Sequence, residues 1–548
     1  MWLIAKLACV LLLMTWSSAA SSTKKVVQVE LARVSNSEFR VLYKFPDQIS
    51  DFEFAQSANE LSEKGLELIT PGLEYADRKI RSTDASSFHE AEFRLTKSKM
   101  TLRQYDPLLH FTSGGTAAYS GNLVLKGESW KTKFRLLPRV GERSFVPGGS
   151  VDEYLTPEVR NANARSGAYL YIGTIEPKQL DGMAYFADPA VPQWVLQDFV
   201  STARAALSYF SAELGTPQRL HPVFFLMMDG MDNVARNYRG DTLSNQFVRI
   251  NLFGGEWTVR DEAKRNQLRK LIAHEIFHIW NAEFYVAENS NAWMHEGAAD
   301  FFALKSLVAS SLITKQHAVD SMNDAINSCI LGQMGTNLNS VSGHTSNQRL
   351  FYDCGNLIYY LSEQGAKGKT AFYREVFDFA KKKYSTKRFV SELAKRHKSG
   401  NLLQLIDDLE RGAGVPLGRQ VRALLNAYDI QYEASMFDIS DQMYRQALLS
   451  SVISSDCKGV GYWTLDAGIK VDSNMGCSVL ADFPILAKIM GSNLMTQPKA
   501  AYEAVRMKCD CPTATLLIET GSGKRFDIAC GRPLPEVLPP VYITDLPW

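Results

Sequence analysis

At 548 residues the chain exceeds one ordinary hydrophobic core, and at about 150 residues per domain it is expected to hold three or four. Its 60 basic and 59 acidic residues nearly cancel and form no long like-charge run, so it lacks the field that gathers nucleic acid or an anionic membrane. Neither is an expected partner.

The chain begins MWLIAKLACVLLLMTWSSAASS: one lysine, an apolar run of about ten residues, then a small-residue cleavage context at Ser18, Ala19 and Ala20. The run from Leu7 to Trp16 falls short of the ~20 residues a spanning helix needs. Residues 1–20 are therefore expected to be a cleaved signal peptide. The product is expected to be exported, periplasmic or secreted, with no stable membrane insertion after cleavage. Cys9 lies inside the apolar run and lacks a lipidation context. Of the eight cysteines, the other seven are Cys329, Cys354, Cys457, Cys477, Cys509, Cys511 and Cys530. In an exported protein these are expected to pair, with an odd thiol left free or bonded between chains, so an oligomer is possible. Cys509-Asp510-Cys511 lacks the two-residue spacer of a metal or redox motif and reads as structural pairing.

From Lys24 to about Ile175 the strong segments alternate or run β-branched and aromatic, as in KVVQVELARV, FRVLYKF and GAYLYIGTI. An all-β domain is expected over 21–182. The texture then changes to mixed α and β over 183–436. A helix is expected through VLQDFVSTARAALSYFSAEL, buried strands at PVFFLMMDG and NQFVRINLFGGEW, and amphipathic helices from Val259 to about Tyr428. From 437 to 548 strands return, with a helix at PKAAYEAVRM and a hairpin over Gly-Ser-Gly in TATLLIETGSGKRFDIAC. This last part resembles the second half of a PDZ-type module, although no Gly-Leu-Gly-Phe-like loop is present to hold a peptide carboxylate. The fold class expected is multidomain α+β.

The chemistry concentrates in RDEAKRNQLRKLIAHEIFHIWNAEF. Read as one helix, it places His274 and His278 at i and i+4, one turn apart on one face. Both imidazoles can reach one tetrahedral zinc at ~2 Å from that spacing. Glu275 is offset by about 100°, so it can face a water at the ion without ligating it. A catalytic zinc needs a third protein ligand and one open position. A second helix opening near Asn291, NAWMHEGAADFFALKSLV, offers Glu296 as that ligand. Asp300 lies one turn beyond and can accept the outer N–H of a ligand histidine. The competing reading is a pair of satisfied core histidines, with Glu296 starting a solvated helix face.

These residues resemble the gluzincin metallopeptidases, which include thermolysin and the aminopeptidase N relatives, and most closely the glycyl aminopeptidase family. In that family the motif continues into Trp-Asn, here Trp280 and Asn281, and WMHEGAADFF is similar to its Trp-x-x-Glu-Gly-Phe segment, with Ala298 in place of the phenylalanine. Asp300 matches the thermolysin-type Glu-x-x-x-Asp. The resemblance implies a thermolysin-like catalytic domain, Zn2+ as cofactor, and a peptide or protein as substrate. RLFYDCGNLIYYL resembles the Tyr-x-x-Gly helix of the aminopeptidases, which implies Tyr352 as donor to the oxyanion. Cys354 stands where relatives carry lysine, a departure that fits a disulfide to Cys329. NLFGGEW is a partial match to the family's Gly-rich strand, so Gly254, Gly255 and Glu256 would bind substrate, with Glu256 capturing the free amine. The extended substrate is expected to lie antiparallel along Arg249 to Glu256, adding a strand to an exposed edge.

The function expected is hydrolysis of peptide bonds by zinc-activated water, with Glu275 as general base and Tyr352 at the oxyanion, in an exported aminopeptidase. A thermolysin-like endopeptidase and a catalytically silent exported binding protein are the alternatives.

Overall fold

Alternation of apolar and polar residues builds the first part of the molecule. In EFRVLYKF, Phe39, Val41, Tyr43 and Phe45 are buried while Arg40 is exposed, the period-two pattern of a strand with one face on a core. The computed structural model describes residues 25–54, 65–76, 79–96, 105–126, 130–146, 167–217, 220–232, 236–243, 246–281, 292–333, 337–339, 349–365, 369–377, 385–396, 400–412, 416–458, 460–465, 468–472, 475–482, 485–510, 513–531 and 534–548. The expected signal segment and Cys511 lie outside them. Two units emerge, Met1–Pro192 with His221–Thr258, and Gln193–Leu220 with Val259–Trp548.

In the first unit, strands Lys25–Ser35, Glu38–Ile49, Leu66–Leu68, Phe88–Thr96 and Trp130–Leu137 form one five-stranded sheet, with Lys25–Ser35 parallel to Trp130–Leu137. Aromatic rings fill its core, with Tyr43 edge-on to Phe54 and Phe93. A second five-stranded sheet comprises β1 (Lys178–Leu180), β2 (Met183–Ala187), β3 (Val223–Asp229), β4 (Asn237–Leu243) and β5 (Phe247–Phe253), in the order β1-β2-β3-β5-β4. β2, β3 and β5 run parallel, and β4 is antiparallel to β5. Arg249 on β5 is fully buried, its guanidinium between the carboxylates of Asp106 and Asp241. The two carboxylates offset the desolvation cost of burying this cation.

This arrangement corrects one expectation. β5 is flanked on both sides, by β3 and β4, so the stretch from Arg249 offers no free edge to an extended substrate. The edge is taken by β4, NYRGDTL, whose polar composition gives no hydrophobic alternation; only Leu243, its last residue, is buried.

The second unit is mostly helical. Its described helices are α1 (Gln193–Leu214), α2 (Glu262–Asn281), α3 (Ala292–Ala309), α4 (Lys315–Gly332), α5 (Arg349–Gly365), α6 (Lys369–Val376), α7 (Thr386–Arg396), α8 (Gly400–Arg411), α9 (Leu417–Ala427), α10 (Asp441–Asp456) and α11 (Pro498–Lys508). No helix among the described residues is long and apolar enough to cross a membrane. Small strands follow α9: β6 (Tyr432–Glu433), β7 (Tyr462–Leu465), β8 (Gly468–Val471), β9 (Ile485–Ile489), β10 (Ser492–Asn493), β11 (Thr515–Thr520), β12 (Arg525–Ala529) and β13 (Tyr542–Ile543). β7-β8-β9-β11-β12 form one sheet with β10 on β9, and β11–β12 is the expected hairpin. Helix α10 is additional to the helix expected at PKAAYEAVRM, which is α11. Disulfides join Cys329 to Cys354, Cys457 to Cys477 and Cys509 to Cys530.

Candidate metal centre

α2 is largely interior, and several of its polar side chains are held by partners. Asp261 accepts from the Lys264 N–H at 2.7 Å, an N-cap bond to the third helical residue. Glu262 in the first turn complements the helix dipole. Arg265 and Arg269 both reach Asp198 of α1, at 2.8 and 2.7 Å. Burial opposes ionisation of Asp198, but these two guanidinium groups outweigh it and hold the carboxyl below its ordinary range. At the far end, Trp280 is fully buried, donates its indole N–H to the Gly215 carbonyl at 2.8 Å and packs edge-on against Phe210. Both ends of α2 are thus pinned to α1, which fixes the rotation of the face carrying the histidines.

α3 meets α5 through two glycines. A Cβ on Gly297 would lie 2.2 Å from the Gly355 Cα, and one on Gly355 would lie 2.2 Å from the Trp293 carbonyl oxygen. Only hydrogen fits at either position, so the two helices cross at backbone contact. That crossing places Tyr352, one turn before Gly355, beside Glu296, the neighbour of Gly297. The Cys329–Cys354 disulfide ties α4 to the same turn of α5.

The result is a convergence of donors. His274 Nε2 lies 3.1 Å from His278 Nε2 and 3.2 Å from Glu296 Oε2, and His278 Nε2 lies 3.5 Å from the same oxygen. For ligand bonds near ~2 Å, the edge of a metal tetrahedron is about 3.3 Å, so the three atoms match one of its faces. The outer nitrogens are engaged as well. His274 Nδ1 sits 2.8 Å from Asp300 Oδ1, and His278 Nδ1 sits 2.9 Å from Asn281 Oδ1. The Asn281 amide is oriented because its Nδ2 donates to the His295 carbonyl at 3.0 Å. Both outer partners are acceptors, so both rings carry a proton on Nδ1 and direct Nε2 to the point of convergence. Two imidazole nitrogens and a carboxylate converging on one point can hold a cation in place of a proton, and the donor set fits zinc.

Electrostatics agree. Burial works against ionised Glu296, but hydrogen bonds with His274 and His278 hold its carboxyl well below the usual range. Burial likewise disfavours charged His274, yet Asp300 and Glu296 outweigh it and hold the imidazole up to about 10. A metal at this point therefore competes with a proton. Asp300 is buried, and ion pairs with Lys270 at 2.8 Å and with His274 keep it ionised against the cost of burial.

The remaining predicted residues fall in two groups. Glu275 is buried on α2, and its charge acts on both His274 and Tyr352. The Tyr352 ring stacks on the His274 imidazole, with centroids 5.6 Å apart at 23°. Burial, with the charges of Glu296, Glu275 and Asp300, raises its phenol far above the ordinary range, so the O–H stays protonated as a donor. Gly254, Gly255 and Glu256 belong to the first unit, immediately after β5. Gly254 has φ +96°, a conformation that favours glycine, and its N–H bonds the Asp229 carbonyl at 2.9 Å. Glu256 is exposed in a short 3-10 turn that Trp257 anchors through a 2.9 Å bond to the Asn237 carbonyl.

Sequence reasoning named Asn281 without a role and passed over Lys270, His295 and Arg349. His295 stacks on His278 with centroids 4.2 Å apart at 16°. The signal available was position: Asn281 is i+3 from His278, and Lys270 is i−4 from His274.

No protein-family model matches the chain, and no curated protein matches it significantly in sequence. Among solved structures, an M1 zinc metallopeptidase from Deinococcus radiodurans aligns over 72% of this chain and 95% of its own, at 10% identity with a TM-score of 0.43. The crystal structure of an aminopeptidase N family protein from Idiomarina loihiensis aligns over 95% of this chain and 98% of its own, at 12% identity with a TM-score of 0.59. The chain thus shares its fold with a protein of the aminopeptidase N family.

Proposed function

We propose that the chain is a zinc-dependent peptidase and acts as an aminopeptidase. The observation that carries this reading is the convergence of His274, His278 and Glu296, with both outer imidazole nitrogens held by acceptors. Three protein ligands that leave a fourth position open are the donor set of a hydrolytic rather than a structural zinc. A zinc ion held by these three residues supplies Lewis acidity toward water and toward a substrate carbonyl. Glu275 accepts a proton from the attacking water and returns it to the leaving amine. Tyr352 donates a hydrogen bond to the carbonyl oxygen as charge develops on it, worth on the order of 3 kcal/mol in a dry site. Asp300 and Asn281 keep both rings in the tautomer that presents Nε2. Specificity for a free amino terminus is part of this reading, supported by the partial match of Gly254, Gly255 and Glu256 to a Gly-rich substrate-binding strand. Export is part of the same reading, supported by the leader-like segment 1–20 and by three disulfides, which persist in oxidising compartments. The sheet of β7 to β12 with α10 and α11 supports a PDZ-like C-terminal module, for which no ligand is proposed.

The test is zinc analysis together with turnover of a free-amine dipeptide amide and its N-blocked counterpart, in the wild type and in Glu275→Gln. Retained zinc with turnover reduced by about 10²–10⁴ supports the scheme, and equal turnover in the two proteins overturns it. A thermolysin-like endopeptidase is the second reading, favoured by the Asp300–His274 contact one turn beyond Glu296. Equal cleavage of blocked and free substrates selects it.

A further inference from the structure

Arg349 stands where helix energetics would not put it. It is the first described residue of α5. It also precedes its partner Asp353 by four residues, the weaker order for such a pair. A residue that breaks a local rule points to a function elsewhere in the fold.

Its contacts show where. The side chain is 61% exposed, yet described groups surround it. Nε donates to Asp353 Oδ1 at 3.1 Å, Nη2 lies 3.7 Å from Asp300 Oδ2, and the guanidinium carbon sits 5.5 Å from the centroid of the Tyr352 ring. Tyr352 therefore touches a guanidinium as well as the His274 imidazole. Asp300 in turn is the carboxylate that orients His274. Arg349 thus lies between the outer partner of one histidine and the ring that carries the phenol. A guanidinium spreads its charge over several donors and so can lie near the ring and two carboxylates at once, whereas lysine offers one compact ammonium.

We infer that Arg349 is a positioning residue for Tyr352, fixing the direction of the phenol O–H before substrate arrives. A donor that acts on developing charge is effective to the extent that it is already aligned, since realignment during the reaction raises the barrier. This rests on the peptidase reading and on Tyr352 as the oxyanion donor. The bland alternative is a surface ion pair, whose removal changes almost nothing.

A double-mutant cycle separates the two, with kcat, KM, zinc content and Tm measured for each protein. Arg349→Gln is expected to lower kcat about tenfold with KM, zinc content and Tm unchanged, because the loss falls on the transition state alone. In the Tyr352→Phe background the same substitution should change kcat by less than about twofold, since there is no phenol left to align. Arg349→Lys, which keeps a cation over the ring without the fork, should lose about threefold. Wild-type kcat in Arg349→Gln overturns the inference, as does a full tenfold fall in the Tyr352→Phe background or a loss of zinc that accounts for the fall. If Tyr352→Phe itself leaves kcat intact, the oxyanion role has failed and the inference falls with it. Absence of wild-type turnover overturns the peptidase reading first.

Discussion

His274 and His278 sit one helical turn apart and aim at the same point, yet their outer nitrogens meet different chemistry. His274 faces Asp300, a buried carboxylate that also pairs with Lys270 and lies within 3.7 Å of Arg349. His278 faces Asn281, a neutral amide tied to the His295 carbonyl. Both partners set the same tautomer. Only the carboxylate pulls on the ring's proton with a full charge, which raises the basicity of the nitrogen on the other side. The centre is thus built from one charged arm and one neutral arm, and the charged arm extends through Arg349 to Tyr352.

Removing the charged anchor should have the largest effect. Asp300→Ala leaves the Lys270 ammonium and the His274 N–H without their acceptor, at 24% and 8% side-chain exposure. Zinc affinity, read by chelator competition, is expected to fall about 100-fold, and unfolding free energy by about 3–5 kcal/mol. Asp300→Asn keeps an acceptor without the charge and should recover part of both losses. Indifference of zinc affinity to Asp300→Ala would erase the distinction between the two arms.

The charged arm should also make stability depend on pH. Burial pushes Asp353 up to about 6, with Asp300 adding to the rise and Arg349 and Lys270 opposing it. The folded carboxyl therefore holds its proton more tightly than the unfolded one. Its contribution to stability is fully present below the unfolded value of about 4 and is lost as pH rises through about 6. The difference corresponds to about 3 kcal/mol at most. Denaturant melts between pH 4 and 7 should show this loss in the wild type relative to Asp353→Asn, and parallel curves for the two would refute it.

The α3–α5 crossing should discriminate differently, because it supports Glu296 and Tyr352 and neither imidazole directly. Gly355→Ala forces a Cβ to within 2.2 Å of a backbone oxygen, so the helices must part. The expected cost is about 1–3 kcal/mol of stability, with kcat reduced as Tyr352 moves from Glu296. Zinc affinity that fell as far as in Asp300→Ala would place the crossing in the ligand shell instead.

How much of this was legible depends on how local each signal is. His274, Glu275 and His278 follow from helical spacing alone, and Glu296 with Asp300 from the same period on the next helix. Their geometry could be stated from sequence because a helix fixes relative directions within one turn. Trp280 and Asn281 were visible only as a resemblance. Their physical tasks, pinning α2 to α1 and holding a ring nitrogen, need the partner helix and the ring in place. Arg349 lies 49 positions from Asp300, and nothing in the intervening sequence announces that they meet. β4 was illegible for another reason. Its residues carry no apolar alternation, so its pairing is decided by β5 rather than by its own sequence, and the strand taken for an edge turned out to be interior. α10 was missed because it lies between the helices read to about Tyr428 and the strands read further on, and its own residues were assigned to neither.

Asn281→Ala tests the neutral arm and should produce the smallest loss. Without the amide, the His278 N–H loses its acceptor and the His295 carbonyl loses its donor, and no buried charge is stranded. The His278 ring stays packed against His295, so its plane is retained while its tautomer is set less firmly. Zinc affinity is therefore expected to fall about tenfold, the lower end for an outer partner, and Tm only slightly. Asn281→Asp is the sharper variant, since it places a carboxylate at the same nitrogen and turns the neutral arm into a copy of the charged one. If charge is what separates the two arms, Asn281→Asp should hold zinc at least as tightly as the wild type. If it binds as weakly as Asn281→Ala, the amide is valued for its bond to His295 rather than for its acceptor oxygen.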